Sequence, residues 1–157
     1  MSDHAIRPRL LLGKLRLPLT DTAPKHARDL VARLALSWGL SDIEWTVKLA
    51  VSELVTNAYL HSDPVRGGTV IIDVARSGKQ FQVTVHDSAK KLPETRAADP
   101  ARENGRGLLL VGAETDACGY YLTPFGKAVW FQLAAHWPLD VISAPGPARP
   151  DPGTAPP

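Results

Sequence analysis

At 157 residues, with 44% hydrophobic and 22% charged side chains, the chain has the size and composition of one globular domain with a proper core. Its 18 basic and 16 acidic residues leave a formal charge of +2, which argues against a strongly basic nucleic-acid surface. The single cysteine, Cys118, excludes an internal disulfide, fits a reducing compartment and reads as a small core hydrophobe.

Taken in chain order, residues 1–9 read as a leader without the apolar stretch of a signal peptide. From Leu10 to Leu19 the pattern is a half-buried strand, with Leu15, Leu17 and Leu19 on one face and Lys14 and Arg16 on the other. Thr20 or Asp21 can cap a helix whose first turn suits Pro24; Ala27, Leu30, Val31, Leu34, Ala35 and Trp38 keep helical spacing until Gly39 stops it. Ser41 opens a second helix, with S-D-I-E as a capping box closed by Glu44. This helix runs to about His61, and Asp63-Pro64 breaks it.

At about 100° per residue, Ile43, Val47, Ala50, Val51, Leu54 and Ala58 fall on one face of the second helix. Glu53, Asn57 and His61, four apart, form a polar row on its flank. Such a row either lines a cleft or is a solvated edge, and these residues alone leave both open.

Two valine-rich strands follow, Thr69 to Ala75 and Gln80 to His86, joined by residues 76–79 and closed by Asp87. The polar stretch from Ser88 to Asn104 has the length of a lid or binding loop. Gly105-Arg106-Gly107 leads into a short helix from Leu108, and residues 117–122 and 127–134 form a hairpin turned by residues 123–126. The proline-rich residues 136–157 read as a disordered tail. This order predicts a two-layer α/β sandwich, with a mixed, mostly antiparallel sheet and helices on one face, spanning residues 10–135.

Three features point to a nucleotide. Asn57 offers a hard amide oxygen to magnesium, and Glu53 can deprotonate a nucleophile beside a terminal phosphate. Asp87 can accept from the exocyclic amine of adenine, or it is an ordinary strand-end carboxylate. The glycines of E-N-G-R-G-L allow backbone amides, and the helix after them, to approach phosphate.

Together E-L-V-T-N-A-Y-L-H, V-H-D-S, G-R-G-L-L-L-V and G-K-A-V-W resemble the GHKL ATP-binding superfamily of gyrase and the histidine kinases. The short single-domain form is similar to the anti-sigma-factor serine/threonine kinases. The resemblance implies Glu53 as general base and Asn57 as magnesium ligand. It implies Asp87 with Ser88 at adenine, and Gly105, Arg106, Gly107 and Leu108 at the hinge of an ATP lid formed by residues 88–104. It further implies ATP and Mg2+ as cofactors, a sigma factor and an anti-sigma-factor antagonist as partners, a homodimer, and a cytoplasmic location without membrane or direct nucleic-acid contact.

The chain departs from that pattern twice. Ala89 stands where the family often has glycine, and the family's final-strand threonine falls at Ala128, so that Thr84, Ser88 or a water is expected to supply the missing hydroxyl. The alternative function is a module that sequesters a protein partner without phosphoryl transfer. Trp45, Tyr59 and Trp137 are expected to be mostly packed rather than partner surface.

Overall fold

A computed structural model describes residues 9–61, 68–89 and 106–138. Five strands and three helices are defined in it: β1 (Arg9–Pro18), α1 (Ala23–Ser37), α2 (Glu44–His61), β2 (Thr69–Ser77), β3 (Gln80–Asp87), α3 (Arg106–Glu114), β4 (Ala117–Thr123) and β5 (Gly126–Ala134). A short 3₁₀ turn, Ser41–Ile43, precedes α2. The sheet order is β1-β2-β3-β5-β4, and every pairing is antiparallel. The predicted α+β sandwich is therefore present, and among the described residues the sheet has none of the parallel pairing that a mixed sheet includes.

Alternation along the strands sends one row of side chains to the helices. On β3 that row is Phe81, Val83 and Val85; on β2 it is Val70, Ile72 and Val74; on β5 it is Val129, Phe131 and Leu133. They meet Ala27, Val31 and Ala35 of α1 and Val47, Val51, Leu54, Val55 and Ala58 of α2 in one continuous core. Each buried Val, Leu or Phe contributes about 1.5–3 kcal/mol of transfer free energy. α1 lies against β1 and α2, α2 against β3 and β5, and α3 against α2 and β4.

Helix ends follow local chemistry, though not always the predicted one. α1 stops at a full Schellman motif: Gly39 N–H donates to Leu36 O (2.9 Å), and Leu40 N–H donates to Ala35 O (3.0 Å). Gly39 takes φ +75°, which a side chain would resist, and Leu40 is fully buried beneath the turn. Thr22, not Thr20 or Asp21, holds the N-cap of α1, without a side-chain cap bond; Pro24 sits in the first turn as expected. The Ser41–Glu44 capping box does not form. Ser41 begins the 3₁₀ turn, which puts Glu44 at the first residue of α2, where it pairs with Lys48 at 2.8 Å.

Beyond β5 the chain stays attached. Ala135 N–H donates to Lys79 O (3.0 Å), and Trp137 packs on Trp38 and Phe81. His136 Nδ1 lies 2.8 Å from Asp42 Oδ2. Burial pulls the Asp42 carboxyl upward, but its bonds with His136 outweigh that and hold it below the usual range. Residues 1–8, 62–67, 90–105 and 139–157 are outside the described residues, and with them the predicted leader, the Asp63-Pro64 break, most of the lid, Gly105 and most of the tail. Among the described residues no helix is long and apolar enough to cross a membrane.

Candidate functional site

Parity along β3 decides what Asp87 is. Phe81, Val83 and Val85 fill the core, so the next odd position should be apolar; it carries a carboxylate, 7% exposed. On β5 the row Val129, Phe131 and Leu133 extends the same way to Lys127, 3% exposed. Asp87 and Lys127 are direct cross-strand partners, with Lys127 Nζ 3.6 Å from Asp87 Oδ2. Among the described residues these are the two buried charges. A buried ion pair at the end of an apolar row contributes little to stability compared with apolar residues of similar size. Such a pair is a candidate functional site.

The Asp87 carboxylate is further held by Ala89, whose backbone N–H donates to Oδ1 at 2.8 Å. Ala89 thus meets Asp87 through its amide, which its methyl group leaves available. Burial pushes the Asp87 carboxyl above the usual range, while Lys127, the Ala89 amide and His61 pull it back. The influence of His61 brings the C-terminal end of the polar row on α2 to Asp87. Asn57 lies one turn earlier, about 6 Å along the axis, and Glu53 one turn before that. Both are half-buried, at the margin between core and solvent. A half-buried polar row whose last member acts on a buried carboxylate is more than a solvated edge, and it makes this margin of α2 the candidate site.

β5 begins in unusually close contact with this corner. A Cβ on Gly126 would stand 2.0 Å from Asp87 O and 2.7 Å from Ser88 Cα. No side chain fits there, so glycine is required by space alone.

One substitute expected for the missing hydroxyl, Thr84, is displaced, and so is the position it was to replace. Thr84 is on the opposite parity to Asp87, buried on the sheet face away from the helices and paired with Trp130. Ala128 lies on that same outward face opposite His86, so it is not the position that adjoins Asp87. That position is Lys127, which the sequence reading passed over although the alternation Lys127, Val129, Phe131, Leu133 was available to find it. Ser88 follows Asp87 directly and is exposed. Arg106, Gly107 and Leu108 form the first turn of α3, so Gly107 lies within the helix rather than ahead of it.

Three aromatic and thiol expectations are also revised. Trp45 is 76% exposed and Tyr59 is exposed, whereas Trp137 is packed. Cys118 is exposed because β4 is an edge strand.

The family profile described as histidine kinase-like ATPase domain matches residues 17–133. The chain belongs to that family. A solved structure of the RsbU and RsbW domains of Rv1364c from Mycobacterium tuberculosis is similar in fold, with a TM-score of 0.59 at 17% identity. The similarity covers 80% of this chain, which spans about a third (33%) of that one. Comparison with curated proteins gives no match.

The site's residues fit the ATP that this family implies. Asp87 is a buried carboxylate of the acceptor kind that a base amine requires, and Glu53 and Asn57 have oxygens of the hard kind at half-buried positions.

Proposed function

We propose that the protein is an ATP-dependent regulator of the anti-sigma type, one that binds a sigma factor and phosphorylates a serine or threonine of an antagonist protein. The observation that carries the nucleotide part is the buried Asp87 acceptor at the end of the Glu53–Asn57–His61 row. Family membership and the fold likeness to a structure containing an RsbW domain support the class.

In this reading Asp87, with Ser88 beside it, receives the adenine amine. Asn57 offers its amide oxygen to Mg2+, and Arg106, Gly107 and Leu108 present the first-turn amides of α3 to phosphate. ATP supplies the phosphoryl group. Glu53 accepts the proton of the substrate hydroxyl as its oxygen bonds to the γ-phosphorus and the bond to the β-phosphate oxygen breaks, releasing ADP. The domain works in the cytoplasm as a homodimer. A second copy packs on the sheet face that the described helices leave uncovered. Exposed Tyr121, which shares that face with Ala128, and Phe125 (84% exposed) in the β4–β5 turn support a protein-facing surface there.

The test is direct. Full-length protein with radiolabelled ATP and Mg2+ should label a candidate antagonist, and equilibrium titration should show saturable ATP binding. Binding without transfer selects the sequestering module; absence of binding removes the nucleotide reading.

A further inference from the structure

A nucleobase edge is a fixed order of donors and acceptors, and the corner formed by β3 and β5 has such an order. An ionised carboxylate only accepts, and an ammonium only donates. Asp87 beside Lys127 is therefore an acceptor next to a donor, on one face and in direct register. The complementary edge has a donor next to an acceptor. Adenine presents that order, its N6 amine beside ring nitrogen N1. Guanine presents the reverse in the same places, its O6 acceptor beside N1–H.

The local geometry favours reading over mere neutralisation. Oδ1 of Asp87 is held by the Ala89 amide at 2.8 Å, while Oδ2 faces Lys127 at 3.6 Å. The ammonium thus pairs with the carboxylate from the Oδ2 side and leaves Oδ1 to the backbone amide. An ammonium carries three N–H donors and so can serve more than one acceptor, Asp87 among them. The contact of Gly126 with the Asp87 and Ser88 backbone fixes the two strands at this point. Thr84 faces away, so it supplies no hydroxyl here.

We infer that Lys127 reads the base of the bound nucleotide, donating to N1 of adenine while Asp87 accepts from the N6 amine. This rests on the ATP site proposed above and adds the specificity-determining residue to it. In the same pose GTP sets O6 against the carboxylate and N1–H against the ammonium, two mismatches at once.

The test is equilibrium binding of Mg-ATP, Mg-1-deaza-ATP and Mg-7-deaza-ATP to the full chain. 1-Deaza-ATP has a C–H in place of N1, and 7-deaza-ATP controls for loss of a ring nitrogen elsewhere. The wild type should bind 1-deaza-ATP about tenfold to a hundredfold more weakly than ATP, the range for one hydrogen bond to a charged group, and should bind 7-deaza-ATP like ATP. Lys127→Met should weaken ATP binding to the 1-deaza level and bind the two alike. If wild-type protein binds ATP and 1-deaza-ATP equally, or if Lys127→Met keeps their ratio, the role of Lys127 is overturned and the ATP site stands. If ATP itself does not bind, both fall. Should Lys127→Met not fold, the wild-type comparison decides alone.

Discussion

The guanidinium of Arg76 lies 4.3 Å above the indole ring of Trp137, and Trp137 Nε1 donates to Lys79 O at 3.0 Å. The first residues after β5 are thereby tied to the β2–β3 turn, with Trp38 and Phe81 against the same ring. Trp137→Ala should cost about 2 kcal/mol, roughly half the loss for a fully buried ring, with a further fraction from the cation–π contact. Urea unfolding measures it. A midpoint unchanged from wild type would place the end of the folding unit before His136.

Gly126→Ala should destabilise by about 3 kcal/mol, because the obstructing atoms are backbone and cannot swing away. Gly13→Ala is the control. Its Cβ would meet Leu34 Cδ2 at 2.7 Å, the far end of a flexible side chain that can rotate clear. The same denaturation experiment on both variants checks the claim: similar midpoints would show that β5 can lift from Asp87.

How far the sequence carried this reading depended on how local each signal was. The α2 row needed only helical periodicity, and the hairpin strands needed only alternation; both are present with ends shifted by one or two residues. The β2–β3 turn closed to Gly78-Lys79, because Gly78 at φ +60° makes the bend at once and lets Arg76 and Ser77 extend β2. Non-local facts were harder to read. Whether Lys127 or Ala128 faces Asp87 depends on the register between β3 and β5, which are separated by a long connection, and a slip of one residue reverses every face. The capping box failed for a different reason. A 3₁₀ turn consumed Ser41 to Ile43, so the box residues never occupied N-cap and N3 of one α-helix.

Asp87 gives a pH dependence with a definite sign. Its folded-state value is raised, chiefly by burial and against the pull of Lys127. Between the ordinary carboxylate range and that higher value the native state holds more protons than the unfolded one, so stability falls as pH rises through the window. Asp87→Asn has no such proton to lose. The stability of Asp87→Asn minus that of wild type should therefore grow as pH rises from about 4 toward neutrality, while ATP binding by the variant is lost. Denaturation midpoints across that range decide it. A difference that is flat or shrinks with pH would mean that Lys127 more than compensates the buried carboxylate.

Glu53 and Asn57 share one row but are assigned different work, and substitution can separate them. Glu53→Gln keeps the size and half-buried position of the side chain and removes its basicity. Phosphoryl transfer should fall by about 10²- to 10⁴-fold, the contribution of a positioned general base, with ATP affinity changed by less than about twofold, since the base acts on the substrate hydroxyl rather than on the nucleotide. Asn57→Ala removes a metal oxygen ligand and should weaken ATP binding in Mg2+ while changing binding in excess chelator little. Radiolabel transfer read beside ATP titrations, with and without Mg2+, gives all four quantities. Transfer by Glu53→Gln at the wild-type rate would reassign the proton acceptor, and Mg2+-independent losses at Asn57→Ala would make Asn57 a packing residue of α2.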